Sequence, residues 1–261
     1  METANRILDY FGSITPSEAF FWLFFQNILQ FVLCVGAGLI LIKLFSARRI
    51  YQAPEPLSQK ELLLAAGCVF FNSVVAFGGW LLWKNGTIVI TRELDWTCFA
   101  DTAILLLLMD LLMYITHRIV HIKGIYSLVH RTHHIYEDTR PLSLFVLSPL
   151  EVFGFGFLWL LVLCLYSSSW LGIVLYLLLN AAFGALGHIG VEPFPKSWLK
   201  IPLLQRLTTS TFHAQHHKEI DSNFGFYTDI WDNLFGSLNK AYKSTFESVF
   251  ERAASKSQLP P

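Results

Sequence analysis

Long unbroken apolar runs, separated by short polar stretches, set the pattern of this chain. A helix needs roughly 20 apolar residues to cross about 30 Å of hydrocarbon. Ala19–Phe45, Leu62–Trp83 and Phe99–Thr116 reach or approach that length. Pro54 and Pro56 break the chain after the first run, and the turn pair Asn85-Gly86 closes the second. A further apolar stretch, Leu144–Gly187, is divided by Ser167-Ser168-Ser169 into Val152–Tyr166 and Trp170–Gly187. Val152–Tyr166 is short for a crossing. It reads either as a tilted helix in a thinned bilayer or as one arm of a hairpin that returns to the side it left. The pattern predicts an all-α integral membrane protein with about four to five membrane helices and a helical, histidine-rich cap.

Composition agrees with that pattern. The 261 residues are 54% hydrophobic and 15% charged, against about 25% charged in a soluble domain. Nineteen basic and nineteen acidic residues leave no bulk field for nucleic acid, which is excluded as a partner. Charge placement predicts orientation. If the first three runs cross and the last pair forms a hairpin, Ser46–Lys60, His117–Ser143 and everything from His188 onward share one side. That side holds sixteen of the nineteen Lys and Arg, leaving Arg6, Lys84 and Arg92 opposite. The positive excess marks it as cytoplasmic. Cys34, Cys68, Cys98 and Cys164 form no CxxC pair and read as buried free thiols. Glu2, Asp9 and the length of the first run argue against a secretory signal.

The candidate chemistry lies in the placement of the nine histidines. His117 and His121 form H-x3-H, and His130, His133 and His134 form H-x2-H-H. His188 stands alone, and His213, His216 and His217 form a second H-x2-H-H. One such H-x2-H-H is expected about 0.01 times by chance in this length. Residues at i, i+3 and i+4 share a helix face, so each box is expected to offer its imidazoles to one point. Asp110, Tyr114, His117 and His121 continue a stripe down the third run, placing a metal at the end of a membrane helix. Neutral imidazole suits iron, zinc or copper, and eight or nine ligands suit two ions better than one. Asp110, ionisable inside an apolar run, is expected to support His117 or His121 from behind. Glu151 reads as an interfacial residue. The Gly36/Gly38 pair reads as close helix packing.

These residues resemble the fatty acid hydroxylase/sterol desaturase superfamily of membrane histidine-box di-iron enzymes. The resemblance covers Phe99 to Leu238. It includes the order of the boxes and the segments Asn223-Phe224-Gly225-Phe226-Tyr227 and Trp231-Asp232-Asn233-Leu234-Phe235-Gly236. It implies metal ligation by His117, His121, His130, His133, His134, His188, His213, His216 and His217. Some relatives carry a further histidine where this chain has Gly184, so the resemblance leaves the site one ligand short, with a water on Asn223 as a candidate replacement. It implies two iron ions, O2 as co-substrate and a lipid substrate, either hydroxylated or desaturated. Phe153, Phe155, Phe157 and Trp159 are candidates to line the lipid path. The chain shows no dinucleotide fingerprint, haem attachment motif or iron–sulfur cluster motif. A separate donor of cytochrome b5-like or ferredoxin-like type, with its reductase, is therefore implied.

The expected organisation is an N-terminal tail over 1–18, two membrane helices and their loops over 19–98, a fatty acid hydroxylase-like catalytic domain over 99–240 and a C-terminal solvated helix or tail over 241–261. Two other classes remain open. A membrane zinc-dependent lipid hydrolase also gathers histidines at a membrane edge, although about three protein ligands suffice for it. A metal transporter or sensor places its ligands along the path at mid-membrane depth.

Overall fold

Most of the long helices start where a short polar side chain caps their free N–H groups. The structure, a computed structural model, describes residues 2–93 and 95–257. Helix α1 spans Glu2–Ser13 and α2 spans Pro16–Leu44. Thr15 accepts the Glu18 N–H while the Glu18 carboxylate takes the Thr15 N–H, so α2 starts before its apolar run does. Ser58 and Glu61 repeat this box at the start of α3, Gln59–Lys84. After the two-residue strand β1, Ile90–Thr91, α4 runs Thr97–Val120. It passes the expected end at Thr116, so it carries His117 within the helix and His121 as its C-terminal cap. The short helices α5, Lys123–Val129, and α6, Arg131–His134, follow. Ser148 caps α7, Pro149–Leu165. After β2, Ser168–Ser169, Ser169 caps α8, Trp170–Gly187. The last third holds α9, Ser210–Lys218, α10, Ile230–Phe235, and α11, Tyr242–Ser257.

Tertiary hydrogen bonds gather the polar segments at two opposite ends of the bundle. At one end Arg49 bridges to Val191, the Arg48 carbonyl accepts the Glu192 N–H, and the Arg140 guanidinium lies 3.3 Å from Glu61. Lys218 pairs there with Glu137 and Asp138, each at 3.2 Å. At the other end Trp80 donates to the Phe11 carbonyl, Arg92 meets Asp9 at 2.6 Å, and β1 pairs with β2. The segments containing the histidines thus share one end, as the parity of the spans requires. Helix α7 joins the two ends. At its start Ser148 donates to the Val129 carbonyl at 2.6 Å, and just past its finish Tyr166 donates to Asp101 near the start of α4 at 2.7 Å. It therefore runs the length of the bundle as the first arm of a hairpin completed by α8.

Helices α2, α3, α4 and α8 are long and apolar enough to cross a membrane. Their outward faces keep large side chains uncovered, Phe21 and Leu33 being 61% exposed. An apolar belt of this extent suits hydrocarbon and not water, and the chain is a multi-pass helical membrane protein. Inside, α3 and α7 cross so closely that a Cβ on Gly156 would lie 2.6 Å from Val75. Gly38 packs against Pro141, whereas Gly36 faces open space, so only one of that pair serves close packing. All four cysteines are free, and Cys34, Cys68 and Cys98 are buried.

Both expected tails are placed differently. The N-terminal residues form α1 and the start of α2, tied to α3 through the Phe11 carbonyl. Helix α11 is not solvated all round: Phe246 and Val249 are fully buried, the latter against Ile50 and Ala214. Residues 258–261 of that expected tail lie outside the described residues.

Candidate metal centre

All nine histidines converge at the end where α4 and α8 finish. They sort into two groups, each with nitrogen atoms within 4.8 Å of one another. His117, His121, His130, His134 and His216 form one group; His133, His188, His213 and His217 form the other. The groups adjoin, with the His134 ring stacked on His217 at 4.7 Å between centroids.

The boxes do not each serve one point, as their spacing suggested. In the first, His130 and His134 join the five-histidine group while His133 joins the other. In the second, His213 and His217 stay together while His216 crosses over. The reason is helical geometry. At about 100° per residue, i+4 lies about 40° to one side of i, and i+3 about 60° to the other. A pair four apart therefore shares one centre, and the i+3 residue faces the neighbouring centre.

Hydrogen bonds on the outer ring nitrogens fix the tautomers. His117 donates from Nδ1 to the Phe224 carbonyl at 2.8 Å, His188 to Gly184 at 2.8 Å, His216 to Ser222 at 2.7 Å and His133 to Val146 at 3.3 Å. His130 donates from Nδ1 to the Glu151 carboxylate at 2.5 Å. A carbonyl only accepts, so the proton sits on Nδ1 and the lone pair on Nε2. Burial keeps the rings from gaining a second proton. It brings His188 down to about 4 and, with neighbouring imidazoles, His134 to about 3 and His121 to about 2. The same causes hold His130, His133, His213, His216 and His217 well below the usual imidazole range.

The inner nitrogens then face one another without a proton between them. His117 Nε2 lies 3.1 Å from His130 Nε2, and His133 Nε2 lies 3.2 Å from His188 Nε2. Two lone pairs at that distance repel unless a cation lies between them. Both ring nitrogens of His121 and of His217, and His216 Nε2, are also buried without a hydrogen-bond partner. Neutral, converging, unpartnered imidazoles are a donor set that fits iron, zinc or copper.

The supporting residues differ from expectation. Asp110 does not reach His117 or His121. It accepts from the Tyr227 and Thr228 N–H groups, the Thr228 hydroxyl and Trp231 Nε1, all within 3.2 Å, and so ties the 227–231 loop to α4. Asn223 does not face the histidines through its amide either. Its Nδ2 donates to the Phe212 carbonyl and its Oδ1 accepts the Asn239 N–H, while its backbone takes the left-handed φ of 59°. Asp232 accepts the Phe224 and Gly225 N–H groups at 2.9 and 2.7 Å. A Cβ on Gly225 would lie 2.1 Å from the Thr228 carbonyl oxygen, so only glycine fits this turn. The Asn223–Gly236 segment thereby acts as a clasp that aims the Phe224 carbonyl at His117.

Glu151 is not interfacial but fully buried against His130. Its sequence signal is the helix start Ser148-Pro149-x-Glu151, with the Ser148 oxygen accepting the Glu151 N–H. The carbonyls of Val146, Gly184, Ser222 and Phe224 carry no such signal. Gly184 supplies its carbonyl to His188 in place of a ligand. A cavity of about 200 Å³ borders His117, His130, His133, His188 and His213 and extends among the membrane helices. Phe155 lines it. Phe157 is instead 61% exposed, Phe153 packs on Phe71, and Trp159 stacks on Tyr176.

Fold and site together define a class: a multi-pass helical membrane protein with two adjoining histidine clusters able to hold metal ions. The family model for fatty acid hydroxylase matches residues 102–237, and the chain belongs to that family. Very-long-chain aldehyde decarbonylase GL1-1 of Oryza sativa subsp. japonica is 31% identical over 134 residues, 49% of this chain and 22% of the relative. Lathosterol oxidase of Mus musculus is 30% identical over 147 residues, 53% of this chain and 44% of the relative. Very-long-chain aldehyde decarbonylase GL1-6 of Oryza sativa subsp. japonica is 27% identical over 149 residues, 54% and 23% respectively. The matches thus span less than half the length of each of these relatives. No solved structure matches the chain.

Proposed function

We propose that the chain is a membrane-bound di-iron oxygenase that hydroxylates or desaturates a C–H bond of a lipid, using O2 and electrons from an external donor. The facing Nε2 lone pairs of His117/His130 and His133/His188 carry this reading, because each pair calls for a cation. Five imidazoles in one group and four in the other suit two ions, not one. Bound iron would supply the redox chemistry that activates O2 for C–H oxidation. The chain's own residues do the rest. Glu151 and four backbone carbonyls hold the ring tautomers, burial excludes water, and the cavity admits a lipid segment beside the histidines.

The basic excess at the histidine end supports a cytoplasmic placement and a docking face for a small acidic cytochrome b5-like or ferredoxin-like donor with its reductase. A zinc hydrolase is disfavoured, because nine histidines exceed its need and the Glu151 carboxylate is already engaged by His130. A transporter is disfavoured, because the histidines gather at one end and not along the spans. The test is metal content per chain by mass spectrometry on protein purified under reducing conditions, beside a His133→Ala/His216→Ala variant. Two irons in the parent with a large loss in the variant support the oxygenase. One zinc that survives both substitutions sinks it. Two zincs pass the decision to O2 uptake after iron reconstitution.

A further inference from the structure

The cavity beside the histidines carries polar groups where a hydrocarbon substrate would leave them unmatched. Gln30 from α2, Asn72 from α3 and Asn180 from α8 all line it, among apolar neighbours such as Met113, Leu144 and Phe155. Each amide is half used. Asn180 Oδ1 accepts the Tyr227 hydroxyl at 2.6 Å, which leaves its NH2 free. The Asn72 NH2 reaches Cys68 Sγ at 3.4 Å, which leaves its oxygen free. Gln30 Oε1 accepts from Gln26 at 3.1 Å, which again leaves an NH2. None of the three free groups is among the side-chain atoms sealed inside protein without a partner. All three residues line the cavity within the membrane-spanning part of the fold, where an unmatched polar group is costly and marks a site.

An alkyl chain gives these amides nothing. An ether or carbonyl oxygen accepts from Asn180 but leaves the Asn72 oxygen unmatched. A hydroxyl matches either kind of group, since it both donates and accepts. We infer that the amides lining this cavity, Asn72, Asn180 and Gln30, bind the hydroxyl group of a lipid substrate. The site lies deeper in the membrane than the histidines. Asn180 precedes His188 by eight residues, about 12 Å along α8, and Asn72 lies one turn, about 5 Å, beyond Cys68, which also lines the cavity. Measured along α8, the carbon presented to the histidines is therefore up to about 12 Å from that hydroxyl. An apolar cavity of about 150 Å³ holds a benzene, so one of about 200 Å³ holds this segment of the lipid and not the whole molecule. The inference rests on the oxygenase reading only where it calls the occupant a substrate.

The test is thermal unfolding of the metal-loaded, detergent-solubilised protein with 1-decanol, decyl methyl ether or decane at equal mole fraction in the micelle. The wild type should need about tenfold less decanol than decane for the same rise in midpoint, with the ether between them. Asn72→Leu and Asn180→Leu should each cut the decanol preference severalfold. Equal response to decanol and decane in the wild type overturns the inference and leaves the amides to water. So does a preference that survives in both variants. The wild-type comparison decides even if a variant fails to fold. Metal content and O2 uptake on the same preparations separate the two readings. A decanol preference without iron or O2 uptake keeps the hydroxyl site and removes the oxygenase. Iron and O2 uptake without the preference does the reverse.

Discussion

Replacing Glu151 by leucine tests how the buried shell around the histidines governs metal binding. The carboxylate side chain is 1% exposed and takes the His130 Nδ1 proton at 2.5 Å. Leucine fills a similar space but leaves that N–H unpaired. The proton is then free to move to Nε2, the nitrogen that faces His117 and His134 at 3.1 Å. Loss of such an outer partner costs about 10–100-fold in metal affinity, or about 1.4–2.7 kcal/mol. The loss should fall on the five-histidine group, since His133 and His188 of the other group keep their carbonyl partners. Stability without metal should move the opposite way. Without metal, the proton moved to His130 Nε2 is accepted by His117 or His134, and the loss of Glu151 Oε2, buried without a partner, relieves its desolvation. Anaerobic titration with buffered ferrous iron should show one weakened and one unchanged site. Calorimetry of the metal-free variant should show a midpoint equal to or above that of the wild type. Glu151→Gln, which keeps an acceptor but not the charge, should lie near the tenfold end. Wild-type affinity at both sites, or equal weakening of both, would refute the reasoning.

Other substitutions probe the clasp and the imidazoles. Asp110→Ala frees four hydrogen bonds to the 227–231 loop and should cost about 3–5 kcal/mol in unfolding free energy; a loss below about 1 kcal/mol in chemical denaturation would contradict that role. Gly225→Ala should fail to yield folded protein on gel filtration, because the new methyl group meets the Thr228 carbonyl. The metal-free protein should melt at lower temperature as pH falls from 6.5 towards 4. His188, neutral in the fold down to about 4, binds its proton first in the unfolded chain, which is worth about 3 kcal/mol by pH 4. Glu192, pushed up to about 7 by burial, and Asp229 and Asp232, also raised by burial, work in the opposite sense over part of that interval, but the lowered histidines outnumber them. A midpoint that stays flat across the interval would show that the imidazoles are not held neutral.

The parts of this molecule written in side-chain periodicity were legible in the sequence, and those written in backbone geometry were not. Apolar run length located α2, α3, α4 and α8, and caps such as Thr15 and Ser148 explain why helices start before their apolar runs. The H-x3-H and H-x2-H-H spacings located the histidine groups. Their division between two centres follows from the same spacing, since i+4 and i+3 fall to opposite sides of i, but only once the fold sets two centres side by side. Asp110 was visible as an anomaly in an apolar run, but its partner was not, because the 227–231 loop is more than a hundred residues away in sequence. Glu151 was misread because its neighbour His130 reaches it only through the fold. The half-buried packing of α11 was hidden for the same reason: Val249 meets Ile50 across most of the chain.

Of the five histidines whose outer nitrogen has an acceptor, four donate to main-chain carbonyls and only His130 donates to a side chain. The carbonyl of Val146 or Ser222 remains in place whatever side chain that position carries. Drift at those positions leaves the tautomers untouched as long as the backbone path holds, so the chemistry tolerates wide divergence around it. Glu151 is the exception, the point at which a single base change reaches a ring proton directly.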